Sequence, residues 1–129
     1  MPTISADGKV YTFKLKKGLK WSNGDPVTAN DYVYSWNRVA QFGPKAEYSF
    51  VLSAIDGADA VRNEPDDTKR HNMTISGIKA PDDYTVVVTL TTPAGYFLTE
   101  AALWTYWPVN KKVVEGKGDK FDVKNPWWN

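Results

Sequence analysis

The feature that most constrains the fold is a stretch of six residues near the amino terminus in which apolar and polar side chains alternate. Tyr11, Phe13 and Leu15 fall on one face of this stretch, while Thr12 and Lys14 fall on the other. A period of two is typical of a β-strand with one face buried and the other face in water. The chain is therefore expected to build a sheet and to cover one side of it with helices.

A turn and a helix are predicted after this strand. The pair Asn23–Gly24 supplies the positive backbone angles that a tight turn needs. Thr28 can cap the free amides of a helix start, and Asp31 is placed favourably toward the helix dipole. Asn37 is predicted to face away from the core, and the helix should end near Gly43–Pro44 because proline disfavours a helical residue before it. The apolar side chains at helical spacing are Tyr32, Trp36, Val39 and Ala40.

The remaining segments predict short helices and one hairpin. The expected elements, in chain order, are helices at 46–55 and 57–61, a loop at 63–67, strands at 73–78 and 84–90 around a turn at 80–83, and helices at 95–104 and 111–114. The second strand of the hairpin is rich in β-branched residues, which strands prefer. The sum is an α+β domain with an antiparallel sheet and short helices packed on it.

Length, charge and composition restrict the function classes. The 129 residues suit a single domain over residues 1–129, and a net charge of +1 creates no field that would gather nucleic acid or anionic lipid. The absence of cysteine excludes disulfides and thiolate chemistry. No apolar run approaches the roughly 20 residues of a membrane-spanning helix, and residues 1–10 contain no apolar stretch behind a basic start with the pattern of a signal peptide. Since the chain opens almost directly into a strand and stops just after Trp127–Trp128, both ends are expected to be cuts through a longer chain.

Residues with catalytic or metal-binding potential are few. The only histidine, His71, lies in a polar stretch and is expected to be solvated, because metal sites need clusters of ligands. The paired acids Asp66–Asp67 and Asp82–Asp83 are expected to form turns rather than to act as general acid and base. The run Gly116–Lys117–Gly118 lacks the spacing of a phosphate-binding loop. The sequence thus predicts no enzyme, no metal site and no cofactor.

The tryptophans allow more than one interpretation. Trp21 and Trp36 sit inside regular patterns and are expected in the core. Trp104 and Trp107 lie beside Tyr106 and could form an exposed stacking platform, although burial is favoured for large aromatic side chains. The platform would suit a carbohydrate-binding or other small-ligand module. Self-association through Trp127–Trp128 would instead indicate an interaction domain without a ligand.

The run from Tyr11 to Trp36 resembles the signature of family 5 of the bacterial extracellular solute-binding proteins, the oligopeptide- and dipeptide-binding receptors of ATP-driven importers. The family pattern reads lysine-tryptophan-serine-aspartate-glycine-x-proline-valine-threonine-alanine-x-aspartate. Asn23 replaces the usual aspartate, and Tyr32 replaces the usual phenylalanine that follows the pattern. Further segments match in the family's order, so the resemblance covers residues 7 to about 120. These segments are residues 47–52, 77–86, 93–98 and 108–115.

The resemblance implies a fragment of a larger, two-lobed receptor of the periplasmic-binding-protein type II-like class, corresponding to the small domain inserted in the first lobe. It implies a peptide ligand, although relatives carry nickel, haem, antibiotics or oligosaccharides. The permease subunits of the ABC transporter would be reached through the parent lobes. The location would be extracytoplasmic, in a periplasm or at the cell surface through a lipid anchor outside this chain. Tyr48 falls at the family's ligand-facing aromatic position, and an equally open alternative is an aromatic at a helix start packed on the sheet.

Overall fold

The computed structural model describes residues 1–116, which form an antiparallel four-stranded sheet with helices packed against it. The spatial order of the strands is β1-β2-β4-β3. The strands are β1 (Thr3–Ile4), β2 (Val10–Lys14), β3 (Ile78–Asp82) and β4 (Thr85–Thr89). The α-helices are α1 (Ala29–Phe42), α2 (Ala58–Arg62), α3 (Asp67–His71), α4 (Phe97–Glu100) and α5 (Lys111–Gly116). Short 3₁₀ helices span Gly43–Lys45, Glu47–Leu52 and Trp104–Tyr106.

The alternating strand occupies the middle of the sheet, as its pattern predicts. β2 pairs with β4 so that Tyr11 lies opposite Val88 and Phe13 opposite Val86. Tyr11, Val86 and Val88 are almost fully buried, and Phe13 packs against the same core. The buried face of the sheet thus joins aromatic and β-branched side chains, which stabilise cross-strand pairs. The predicted α+β class is confirmed.

Helix α1 begins and ends where the capping signals indicate. Thr28 is the N-cap residue, and the Asp31 carboxylate accepts a hydrogen bond from the Thr28 amide at 2.9 Å. The helix ends at Gly43, whose φ of 55° lies in the left-handed region that favours glycine. Trp36 and Ala40 enter the core, as the helical spacing predicts.

The prediction that Asn37 faces away from the core is wrong. Asn37 is 7% exposed, donates from Nδ2 to the Val33 carbonyl and accepts the Ile75 amide on Oδ1 at 2.6 Å. The segment before β3 runs along this side of α1, so the helix is covered on more than its apolar stripe. A side-chain amide whose nitrogen and oxygen both have hydrogen-bond partners can be buried with little loss of stability.

The hairpin starts later in the chain than its β-propensity suggests. Its first strand is Ile78–Asp82 rather than residues 73–78, and its register shifts between Lys79 and Asp82. The turn consequently lies at residues 83–84 and not at 80–83. Residues 73–77 form no strand, but Ile75 and Gly77 are buried.

One helix falls where only a loop was expected. Asp66, within the predicted loop 63–67, caps α3 by accepting the Lys69 amide at 2.8 Å. Arg70 on this helix is 3% exposed and donates to the carbonyls of Gln41 and Glu64. A buried arginine gives no signal in a hydrophobic pattern, which explains why α3 went unpredicted.

The other short helices agree with expectation in kind and differ in length. Glu47–Leu52 is a 3₁₀ helix within the predicted 46–55, and α2 covers most of 57–61. The predicted apolar helix at 95–104 is divided into α4 and the 3₁₀ helix Trp104–Tyr106. None of the helices in residues 1–116 has both the length and the hydropathy to span a bilayer. The expectations for Trp127, Trp128 and the Lys117–Gly118 pair lie outside the described residues.

Candidate ligand-binding site

Tyr48 lies at the surface in contact with two other aromatic rings. Its ring centroid is 5.2 Å from that of Trp104, with the ring planes inclined at 71°, and 5.9 Å from that of Phe50, inclined at 31°. The exposed fractions of the three residues are 47% for Tyr48, 54% for Phe50 and 58% for Trp104. We call these three residues the aromatic cluster. It is the candidate site, because large apolar side chains grouped in solvent often mark a binding surface.

The cluster is held from beneath by a buried tyrosine. Tyr106 is 2% exposed, and its hydroxyl donates to the Val51 carbonyl at 2.7 Å. The Trp36 indole donates to the Tyr106 carbonyl at 2.8 Å and packs edge-on against the Tyr106 ring. These contacts tie the 3₁₀ helix that carries Trp104 both to the 3₁₀ helix that carries Tyr48 and to α1. The exposed rings therefore stand on a rigid base.

The predicted platform of Trp104, Tyr106 and Trp107 does not form. Trp104 and Trp107 are 58% and 67% exposed, whereas Tyr106 is buried. In a 3₁₀ helix, residues three apart lie on the same side, so Tyr106 points to the opposite side from the two tryptophans. The expectation that both tryptophans are buried is also wrong. Trp36 is in the core as predicted, and Trp21 is only half-buried.

Titratable groups behind the cluster are shifted toward their neutral forms. Burial raises the pKa of the Tyr106 phenol far above its usual range, and the nearby charge of Glu100 adds to this effect. Desolvation likewise raises the pKa of Glu100, one of whose carboxylate oxygens is buried without a hydrogen-bond partner. The aromatic cluster offers ring faces and edges for non-covalent contact. Its three residues do not include the pair of nucleophile and base that covalent catalysis needs.

The polar residues singled out in the sequence lie elsewhere. His71 is half-buried in a polar groove of about 370 Å³ along α1, and residues 1–116 contain no group of three metal-ligating side chains. Asp82 accepts hydrogen bonds from the Tyr84 amide and the Thr85 hydroxyl, both at 2.8 Å, and the Thr85 bond is the main cause of its lowered pKa. Asp66 is the cap of α3. Asp82–Asp83 thus lie at the hairpin turn, as predicted, whereas Asp66–Asp67 begin a helix and not a turn.

The signature residues form a buried hydrogen-bond network rather than a binding surface. Asp31 is 7% exposed and accepts from the Thr28 amide at 2.9 Å, the Trp21 indole at 3.3 Å and the Lys111 amide at 3.2 Å. Asn110 adds a bond from its side-chain nitrogen to Asp25 at 3.1 Å. The network joins the loop after β2, the start of α1 and the start of α5. The sequence indicates for Asp31 only a favourable position toward the helix dipole, with Thr28 as the cap.

Comparison with known proteins gives one consistent family. The family model for "Bacterial extracellular solute-binding proteins, family 5 Middle" matches residues 2–127. The oligopeptide-binding protein OppA of Bacillus subtilis is 38% identical over 125 residues, which is 97% of this chain and 21% of that protein. A dipeptide-binding protein of Lactococcus lactis is 37% identical over 122 residues, again 21% of its length. The chain thus spans about a fifth of the length of these relatives.

Solved structures agree with the sequence relatives. OppA of Listeria monocytogenes bound to peptide superposes with a TM-score of 0.76 at 45% identity, over 92% of this chain and 22% of that one. The substrate-binding domain of an oligopeptide ABC transporter from Bacillus anthracis superposes with a TM-score of 0.77 at 44% identity, over 95% of this chain and 23% of that one. These named relatives are binding proteins. The family expected from the run Tyr11–Trp36 is therefore confirmed, and the chain belongs to family 5 of the bacterial extracellular solute-binding proteins.

Proposed function

We propose that this chain is part of the substrate-binding receptor of an ABC importer and serves the capture of peptides for import. The observation that carries the proposal is the family match over residues 2–127, with oligopeptide- and dipeptide-binding proteins among the relatives. The chain acts by non-covalent binding and not as an enzyme. It is a fragment of a two-lobed protein, the small domain inserted in the first lobe.

The proposal includes a location and a route for the ligand. The receptor works outside the cytoplasm, in the periplasm or at the cell surface through a lipid anchor that lies outside this chain. Periplasmic oligopeptide-binding proteins of Haemophilus influenzae and Escherichia coli are among the relatives, at 40% and 38% identity, which supports this location. The parent lobes hand the ligand to the permease subunits of the transporter.

Within that receptor, the aromatic cluster forms one wall of the peptide chamber, with Tyr48 facing the ligand. Support comes from the exposure of Tyr48, from its packing against Phe50 and Trp104, and from the rigid base beneath them. Ligand pockets are lined mainly by apolar and aromatic side chains, with a few polar groups that fix orientation. An aromatic wall suits a receptor that accepts many side chains, while hydrogen bonds to the peptide main chain come from other parts of the protein.

The proposal is tested on the protein made from the complete gene. Native mass spectrometry after gentle purification should reveal co-purifying masses that fragment as a ladder of peptides. A single sugar, metal chelate or haem mass would keep the importer assignment and replace the ligand class. A protein that carries no small molecule and binds no peptide in titration calorimetry would overturn the proposal.

The role of Tyr48 has its own test in the same protein. Replacing Tyr48 with alanine should weaken peptide binding about tenfold, the loss typical of an aromatic anchor in an interface. Tyr96→Ala is the matched control, because Tyr96 is a comparably exposed tyrosine at 60% and is not a member of the cluster. Equal affinity of the Tyr48 variant and the unchanged protein would show that Tyr48 does not face the ligand.

A further inference from the structure

Trp104 is the most exposed member of the aromatic cluster. It is 58% exposed although it stands at the start of a 3₁₀ helix whose next two residues are buried. Its backbone is fixed, since the Trp104 carbonyl accepts the Trp107 amide at 3.0 Å and the preceding Leu103 amide donates to the Glu100 carbonyl at 2.9 Å. Because the backbone is already ordered, only the side-chain torsions of Trp104 can lose freedom when a ligand packs against the indole.

The rings of Trp104 and Tyr48 form a corner rather than a flat plate. Their planes meet at 71° with a centroid separation of 5.2 Å, the edge-to-face geometry that aromatic pairs prefer. Phe50 is the third ring of the cluster, with its centroid 5.9 Å from that of Tyr48 and its plane inclined at 31° to it. A third ring can place its edge or its face against each wall of such a corner. A compact polar side chain would leave the corner unfilled, and a carboxylate would lose water and face the negative ring faces. A lysine side chain would gain a cation–π contact at the same loss of water, so lysine is the competitor that the test includes.

We propose that Trp104 is a specificity-determining residue, which makes the receptor favour peptides that carry an aromatic side chain at the position facing Tyr48. The inference rests on the proposed function, since it needs a peptide at this wall. It goes further by assigning the preference to one side chain of this chain. The indole supplies the second wall of the corner, and without it Tyr48 offers a single face on which any side chain can lie.

The test compares side-chain preference rather than affinity alone. The protein made from the complete gene is titrated with alanine peptides from di- to hexapeptide, and with the same peptides carrying one phenylalanine or one lysine at each position in turn. For the unchanged protein, phenylalanine at one position should lower Kd about tenfold relative to alanine, the upper part of the range for an aromatic pair. Trp104→Ala should reduce that ratio to below about twofold and leave the Kd of the all-alanine peptide nearly unchanged.

Two further variants keep the result interpretable. Trp107→Ala removes an equally exposed tryptophan from the same segment and should retain the phenylalanine preference. Trp104→Leu keeps apolar bulk without a ring, so it should bind the alanine peptide normally and lose most of the preference. This variant also covers the case in which the alanine variant fails to fold.

The possible failures separate the two proposals. If the unchanged protein binds none of the peptides, the proposed function fails. If it binds them and the phenylalanine ratio is absent, persists in both Trp104 variants, or falls equally in Trp107→Ala, the inference about Trp104 is wrong while peptide binding stands. A preference for lysine at every position would also overturn it.

Discussion

At the scale of single residues, Asp31 shows how a signature residue can be essential without touching a ligand. Its carboxylate accepts hydrogen bonds from the Trp21 indole and from two backbone amides. One amide belongs to the cap residue Thr28, and the other to Lys111, far along the chain. All of these partners are donors, so the site needs a group that only accepts. Hydrogen bonds to a charged acceptor contribute more than neutral ones, which makes this contact a strong junction.

Asp31→Asn tests that junction. The amide nitrogen would face a donor, and at least one buried N–H would lose its partner, so the free energy of unfolding should fall by about 2–3 kcal/mol. Urea denaturation followed by tryptophan fluorescence measures the change. Asp83→Asn makes the same chemical change at an exposed turn residue and should leave the midpoint almost unaltered. Equal midpoints for both variants would show that the carboxylate of Asp31 adds nothing that an amide cannot supply.

Glu100 predicts a pH dependence of stability. Desolvation raises its pKa in the folded state above the value of about 4.3 expected for an unfolded chain. The unfolded chain therefore ionises more readily than the fold, and the fold loses stability as pH rises from the unfolded value through the folded one. Below the unfolded value the carboxyl is neutral in both states, and the penalty vanishes.

Glu100→Gln should accordingly raise the thermal midpoint at pH 7, and the gain should shrink toward zero as pH falls below about 4. Differential scanning calorimetry over this pH range measures it. Glu47→Gln, at an exposed glutamate, controls for the general loss of one negative charge. A gain at pH 7 that persists unchanged at low pH would contradict burial as the cause.

At the scale of elements, the sequence predicts best where several local signals agree. Helix α1 has a cap, an apolar stripe and a terminal glycine, and its bounds match the prediction within a residue. The strand β2 has an unbroken alternation. Helix α3 has a cap in Asp66 but no apolar stripe, because it is only five residues long. It is fixed by Arg70, whose burial depends on carbonyls in other segments.

The candidate site was only partly accessible to sequence reasoning, for a physical reason. The resemblance indicated Tyr48, but the burial of residues 48–50 is inverted relative to the usual rule that apolar side chains lie inside. Ser49 is buried and donates to the Gly43 carbonyl, while Tyr48 and Phe50 point to solvent. A reading that places apolar side chains inside therefore misses the surface, and the contact with Trp104 depends on tertiary structure alone.

The misplaced hairpin has a physical explanation at Gly77. Its amide donates to the Asp56 carbonyl at 2.9 Å, its carbonyl accepts the Thr89 amide at 2.7 Å, and the Asp56 amide donates to the Thr89 carbonyl at 2.9 Å. A Cβ atom on Gly77 would lie 2.6 Å from the Thr89 oxygen and 2.7 Å from the Asp56 oxygen. Three backbones meet too closely for a side chain, so the approach to β3 is fixed by this contact and not by strand propensity.

Gly77→Ala should therefore destabilise the fold, because the steric overlap of the added methyl group can be removed only by moving backbone atoms. We expect a loss of about 1–3 kcal/mol, as for other overpacked sites. Gly95→Ala is the matched control, since a Cβ there meets nothing within 4 Å. Chemical denaturation of both variants measures the difference. Similar stabilities would mean that the backbones around Gly77 can move apart without a measurable loss of free energy.

At the scale of the whole molecule, the chain is about a fifth of its relatives in length, so the proposed peptide chamber would lie mostly outside it. The described residues have a continuous hydrophobic core around the sheet and α1, which supports independent folding. We predict that the isolated chain of 129 residues melts cooperatively but binds peptide at least about a hundredfold more weakly than the complete protein. Calorimetric titration of both proteins with the same peptide measures this, and comparable affinities would contradict the prediction.

The strand order has a consequence for how such a domain is made. β2 emerges early from the ribosome, but its partner β4 is about seventy residues further along, and the Lys111 amide reaches Asp31 only after the sheet is complete. Contacts of such long sequence separation must close large loops before they contribute, which slows folding. During translation, helix α1 and the β1–β2 pair therefore remain without most of their buried contacts until nearly the whole domain has been synthesised. A topology that closes late delays folding, which suits a chain that must cross a membrane before it folds, as the proposed extracytoplasmic location requires.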